Sequence, residues 1–306
     1  MPSLNFNPDK EIPDLTGKSI FITGGTNGLG AQSAIHLAKH NASHIYISGR
    51  NAQSAEKIIA QIRETGSKTK VKFIQCDLAS LSSVKEAAEQ FASQTPQLDI
   101  LMCNAGIMAK PPSLTPDGYE IQFGTNHLGH ALLIKKLLPL LEKTSNTGGD
   151  ARIVILTSEG MFLHPKGGII FDDLKTVQDF WVGGPWRRYG QSKLANMLYA
   201  RELSRQYPGI ISVSVHPGVV ATELVGNSKF MDRALIQVTN FGKLLKPEEG
   251  AFNQVWAVTT PREKLENGMY YEPVGKLAWK KLDKTARDDG LAKRLWEWTE
   301  EALKGY

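Results

Sequence analysis

Apolar residues along this chain gather into short runs separated by longer stretches of helical period. Runs at residues 19–23, 44–48, 71–78, 98–103, 152–158 and 211–215 are rich in Ile, Val, Leu and Phe, and a last run at 268–271 in Met and Tyr. Consecutive apolar residues at the centre of some, such as 153–156 and 100–103, are the mark of strands covered on both faces. Helical patterns lie between them: one opening at residue 30, others at 52–64, 82–91 and 118–141, one around Tyr189, and a last one at 288–303. In that last helix Leu291, Leu295, Trp298 and Ala302 form one stripe, expected to pack on the core.

Strand and helix alternate with no internal repeat and no linker rich in Pro, Gly or Ser. This order predicts an α/β, doubly wound Rossmann fold: a seven-stranded, mainly parallel sheet with helices on both faces. We expect a single such domain over residues 1–306. It would have an N-terminal tail at 1–14 and a substrate-side segment at 225–306 carrying the last strand and helix.

Ligands on such sheets bind at the carboxyl ends of the strands. Six of the predicted strand ends meet Gly24, Arg50, Asp77, Asn104, Ser158 and Pro217. The first end runs into Gly24-Gly25-Thr26-Asn27-Gly28-Leu29-Gly30 and then a helix. Glycines let the main chain approach a ligand, and free N–H groups at a helix start favour phosphate. The spacing is neither that of the G-x-G-x-x-G fingerprint nor that of a Walker loop. At the second end an acidic residue would accept bonds from a ribose 2′-hydroxyl and repel a 2′-phosphate. Arg50 stands there instead, and a guanidinium matches a phosphate, so NADP(H) is expected over NAD(H). Asp77 would contact the adenine or cap the helix starting near Ser80. Asn126, a polar amide in an apolar stretch, would meet a main-chain group or water, or lie exposed.

Tyr189 and Lys193 are four apart on a predicted helix, hence on one face. A phenol has a pKa of ~10, too high for easy proton exchange at neutral pH. A neighbouring ammonium favours the phenolate and lowers that value. The pair is therefore the candidate acid/base, and its rival reading is two ordinary helix residues.

Composition narrows the classes. The net charge of +5 is spread over scattered Lys and Arg, so no nucleic-acid partner is expected. The two cysteines, Cys76 and Cys103, end apolar runs and read as small buried hydrophobes. Neither His36 with His40 nor His127 with His130 has the companions of a metal site, so no metal is expected. The first fifteen residues lack a signal-peptide core, and no apolar run reaches the ~18 residues of a membrane span. A cytoplasmic protein with no transmembrane segment is the expectation.

These residues together resemble the short-chain dehydrogenase/reductase family. Thr23-Gly24-Gly25-Thr26-Asn27-Gly28-Leu29-Gly30 is similar to its cofactor turn and Asn104-Ala105-Gly106 to its Asn-Ala-Gly motif. Tyr189 and Lys193 match its active-site pair, Ser158 its serine after the fifth strand and Asn126 its helix asparagine. Pro217-Gly218 and Thr222 are similar to its Pro-Gly turn and the threonine beside the nicotinamide. The likeness covers about residues 15–224. Gly168-Ile169-Ile170-Phe171-Asp172-Asp173-Leu174 is similar to the retinol-dehydrogenase-like and WW-domain-oxidoreductase-like branch, and fungal enzymes of secondary metabolism also resemble the chain. Ser158 and Tyr189 are 31 positions apart, wider than the usual spacing, which makes Thr157 a rival for the hydroxyl role.

The resemblance implies hydride transfer between nicotinamide and a carbonyl carbon, with Tyr189 as acid/base and Ser158 holding the oxygen. Lys193 would lower the Tyr189 pKa and bond the nicotinamide ribose, and Asn126 would hold a water leading to solvent. Leu78, Val220, Ala105 and Gly106 would join the cofactor contacts. It also implies a homodimer through the helices carrying Asn126 and Tyr189. Phe180, Trp181 and Trp186, with Met231, Leu235, Phe241 and Leu244, either line a pocket for a bulky apolar carbonyl or alcohol substrate or pack elsewhere. Two rivals share the fold: a catalytically silent NADPH-binding regulator and an epimerase or dehydratase. The complete set Asn126, Ser158, Tyr189 and Lys193 speaks against the first. Asn27, where the extended relatives prefer glycine, speaks against the second.

Overall fold

The computed structural model describes residues 5–220 and 244–306. The strands are β1 Ser19–Thr23, β2 His44–Gly49, β3 Lys70–Gln75, β4 Ile100–Cys103, β5 Arg152–Leu156, β6 Ile211–Val215, β7 Tyr270–Glu272 and β8 Lys276–Leu277. They form one sheet in the order β3-β2-β1-β4-β5-β6-β7-β8. Neighbours pair in parallel except β7 with β8, which pair antiparallel. The sheet among the described residues therefore has eight strands, not the seven expected. The extra one is two exposed residues beyond a turn at Gly275, too short and too polar to leave an apolar run.

The helices are α1 Pro8–Glu11, α2 Gly28–Ala38, α3 Ala52–Glu64, α4 Leu81–Gln94, α5 Ile121–Phe123, α6 Gly129–Asn146, α7 Gly184–Gln206, α8 Pro247–Gly250, α9 Phe252–Thr259 and α10 Asp289–Ala302. Alternate strand residues feed two cores. Phe21, Tyr46, Leu101, Ile153 and Ile155 pack under α4, α6, α7 and α10. Ile20, Ile22, Ile45, Ile47, Met102, Val154 and Val213 pack under α2, α3 and α9. Covering both faces explains why β1, β4, β5 and β6 are buried at every position. The stripe on α10 packs as expected: Leu295 is fully buried, and Trp298 meets Tyr119 and Phe123 edge-on.

The helix expected at 118–141 is broken into α5, a π-helical turn Gly124–Leu128, and α6. A Cβ on Gly124 would stand 2.4 Å from Thr115, so this turn is packed too closely for a side chain there. The break matters because Asn126 sits inside it, and π turns gather at functional sites.

Candidate active site

The glycine turn folds tightly for identifiable reasons. Gly24 and Gly28 hold φ of +64° and +54°, the left-handed region that suits glycine. A Cβ on Gly30 would lie 2.4 Å from the Gly24 carbonyl oxygen. Asn27 caps α2 by accepting the Gly28 N–H. No acidic residue occupies the first turn of α2, so nothing of like charge faces an anion there. Gly49 closes against Thr26, which sets the end of β2, and with it the exposed Arg50, beside the turn.

At the ends of β1 and β4 the polar groups hold each other. Thr23 Oγ1 accepts the N–H groups of Asn104 and Ala105 at 2.9 and 3.0 Å. Asn104 donates its amide to the Thr23 carbonyl at 2.9 Å and accepts from Gln254 of α9. A Cβ on Gly106 would crowd Asn126 at 3.1 Å and the Lys193 ammonium at 3.3 Å, so glycine leaves that space open.

Asn126 is fully buried and meets main chain, one of its three expected surroundings. Its Oδ1 accepts the Ile107 N–H, and its amide donates to the Ile107 carbonyl and to Ser192 Oγ. Its own carbonyl accepts from His130 Nδ1 at 2.9 Å. A carbonyl only accepts, so Nδ1 carries the proton and Nε2 accepts from the Thr23 hydroxyl at 2.8 Å. Burial pushes His130 down to about 4, which keeps the ring neutral. His130 was legible only as a histidine pair tested for metal. Among the described residues no group of His, Cys, Asp or Glu could hold a metal.

The end of β5 resolves the two adjacent hydroxyls by what each touches. Thr157 is buried and donates to the Lys193 carbonyl of α7 at 2.7 Å. Ser158 caps a 3-10 turn, Glu159–Leu163, accepting the Gly160 N–H at 3.1 Å. Its hydroxyl and the Tyr189 ring flank the same point, the place a Cβ on Gly160 would occupy. Two glycines make the fit. A Cβ on Gly160 would strike the Tyr189 ring at 2.7 Å, and one on Gly190 would strike the His164 N–H at 2.7 Å. The 3-10 turn and α7 are thus pressed together.

Tyr189 and Lys193 share a face of α7, both 5% exposed. The Lys193 ammonium donates to the Leu156 carbonyl at 3.1 Å and lies 5.9 Å from the Tyr189 ring centre. Burial pushes the phenol up to about 12, partly offset by the nearby Ser158 hydroxyl, and brings Lys193 down to about 8. This departs from the expected depression of Tyr189 by its neighbour. Desolvation dominates here, and the ammonium is held on the Leu156 carbonyl rather than on the phenolic oxygen.

The wall before α7 is clamped by a buried ion pair. Arg188 stands 3.3 Å from Glu120, both wholly buried, and donates to the Gln178 and Lys110 carbonyls. Of the three aromatics before Tyr189, Trp186 meets its ring edge-on at 6.2 Å. Phe180 lies under Arg187, and Trp181 is 99% exposed. Asp77 caps nothing on α4: Ser80 does so, while Asp77 accepts the Ala79 N–H two residues past β3. Leu78 packs its carbonyl against Gly129 at the start of α6. Pro217 and Gly218 follow β6, and Val220 bridges to Leu245. Leu244 is half-buried. Thr222, Met231, Leu235 and Phe241 lie outside the described residues. Cys76 and Cys103 are free and buried, as expected.

A cavity of about 800 Å³ opens along the rim from β5 to β8, lined by Glu159, His216, Met269, Glu272 and Trp279 among others. The rim's Glu159, His216 and Glu272 went unmarked in the sequence, having no shared spacing. Among the described residues no helix is long and apolar enough to cross a membrane.

Comparison with known proteins agrees with this fold. The family model for short chain dehydrogenases matches residues 18–171. An oxidoreductase of Schizosaccharomyces pombe is 38% identical over 99% of this chain and 89% of its own length. Human retinol dehydrogenase 14 is 34% identical over 93% of this chain and 85% of its own. A crystal structure of a protein from Mycobacterium paratuberculosis superposes with a TM-score of 0.73 at 28% identity, covering 98% of this chain and 97% of that one. The family model, and relatives matched over most of their own length on a doubly wound sheet, place the chain in the short-chain dehydrogenase family, in its retinol-dehydrogenase-like branch.

Proposed function

We propose that this oxidoreductase interconverts a ketone or aldehyde and the matching alcohol on a hydrophobic small molecule, using NADP(H). The observation that carries the reading is the convergence of Ser158 and Tyr189 on either side of Gly160, with the Lys193 ammonium 5.9 Å from the Tyr189 ring centre, at the end of β5. The relative named for retinol supports an apolar substrate, as does Trp186 against the Tyr189 ring.

The residues present fit a dinucleotide. The close-packed turn Gly24 to Gly30, through Thr26, Asn27, Gly28 and Leu29, opens an α2 N-terminus free of acidic groups for the pyrophosphate. Arg50 would take the 2′-phosphate, and Asp77 with Leu78 the adenine. Asn104, Ala105, Gly106, Pro217, Gly218, Val220 and Thr222 would border the rest. When bound, the cofactor supplies or accepts the hydride.

The chain's own residues manage the oxygen. Tyr189, kept protonated by burial, donates its proton to a carbonyl oxygen, or recovers it from an alcohol through the phenolate. Ser158 donates a second bond to that oxygen and steadies the charge growing on it. Lys193 is charged below about pH 8 and offsets the phenolate as it forms. Asn126 pins the Ile107 segment beside this centre, and Arg188 pins the segments of Lys110 and Gln178. Tyr189→Phe is expected to lower turnover of hydrophobic ketones by at least ~10²–10⁴-fold while NADPH titration still shows binding. Turnover near the wild-type rate would exclude Tyr189 as the acid/base.

A further inference from the structure

The cavity rim carries polar groups that carbonyl chemistry does not use. Glu159 follows Ser158 after β5, His216 follows β6, and Glu272 ends β7. All three line the same cavity. His216 is 5% and Glu272 8% exposed. His216 Nδ1 and Glu272 Oε1 have no hydrogen-bond partner among the described residues. Glu272 Oε2 accepts from the Lys281 ammonium, and His216 Nε2 stands 3.7 Å from Glu159, beyond hydrogen-bond reach.

Buried polar atoms left open favour a ligand that completes them. The kind of ligand follows from the wall. Glu159, Glu266 and Glu272 are matched by Lys276, Lys280 and Lys281, so the cavity selects no ionic charge. Met269, Leu277 and Trp279 supply apolar surface. A neutral, mainly apolar molecule carrying a hydroxyl suits both features. Its one proton meets the free carboxylate oxygen, and its lone pairs can meet the ring nitrogen.

We propose that Glu272 and His216 form a subsite for a substrate hydroxyl set apart from the reacting carbonyl, so that hydroxylated ketones are preferred over unsubstituted ones. The use of this subsite in turnover rests on the reductase reading; its existence as a binding site does not.

The test compares tetralone with its isomeric hydroxy- and methoxy-tetralones as substrates with NADPH. The wild type is expected to favour at least one hydroxy isomer by about tenfold in kcat/KM, mainly through KM. Lys281 holds the oxygen side of residue 272, so Glu272→Gln turns an NH₂ group toward the cavity. That variant is expected to shift preference from hydroxy to methoxy, an inversion that mere structural damage would not produce. His216→Leu, a second variant, is expected to erase most of the preference. Hydroxy, methoxy and parent ketones within about threefold of each other, or a preference unchanged in both variants, would overturn the subsite. Should no ketone be turned over, the reductase reading fails, and calorimetry with hydroxytetralin, which has no carbonyl, decides the subsite separately. Binding at least tenfold tighter than methoxytetralin, reversed by Glu272→Gln, supports it; equal binding rejects it.

Discussion

At the ends of β1 and β4 the polar side chains are turned on one another, whereas at the ends of β5, β6 and β7 they face a cavity or stay open. Thr23 and Asn104 bind neighbouring main chain, and His130 completes that knot. What they leave for a ligand is backbone: the glycine turn and the start of α2. On the other rim Ser158 and Tyr189 converge across Gly160, while Glu272 and His216 hold unmatched atoms. A backbone cradle reads charge and shape and is largely indifferent to side-chain identity. A rim of side chains reads particular substituents, and one substitution can rewrite it.

The largest expected effect probes β5, where the rims meet. Ser158→Ala should lower kcat by about 10²–10³-fold, as loss of an oxyanion donor does. Thr157→Val should instead lower thermal stability by about 1 kcal/mol, the loss of one hydrogen bond, with kcat nearly kept. If Thr157→Val proves the more damaging to kcat, the two hydroxyls have exchanged roles. A smaller effect tests the side chain added to the backbone cradle. Arg50→Asp should cut the kcat/KM preference for NADPH over NADH by at least about tenfold, since a carboxylate repels the 2′-phosphate. An unchanged ratio would show that cofactor choice is made elsewhere. The smallest is a pH effect. Lys193 is held near 8, so its ammonium, present below that pH, is lost above it. Ketone reduction should decline several-fold between about pH 8 and pH 10, and Lys193→Arg should remove that limb. A flat wild-type profile would show that Lys193 keeps its proton.

Much of the first rim was legible in the sequence because its parts are contiguous. The glycine turn and Asn104-Ala105-Gly106 are each a few residues long and keep their meaning when read alone, as does the Tyr189–Lys193 pair on the other rim. The second rim is assembled from residues far apart. Glu159, His216 and Glu272 share a wall only because β5, β6 and β7 are neighbours, and no spacing announces it. The Thr23–His130 bond likewise joins residues 107 positions apart. β8 escaped notice because two exposed residues carry no pattern, and the π turn because backbone winding follows packing at Gly124 and not periodicity. The sign of the Tyr189 shift needed its burial and the direction of the Lys193 side chain, neither of which a spacing of four contains.

The paired glycines, Gly160 and Gly190, carry a consequence for how such a chain can change. They lock the serine turn and the tyrosine helix face to face, so the two hydroxyls travel as one clasp whatever the length of chain looped between them. The chain between them is anchored on its own account, with Ile169, Phe171 and Leu174 in the core and Gln178 held by Arg188, so a change of length at its exposed positions, such as Trp181, need not pull Ser158 and Tyr189 apart.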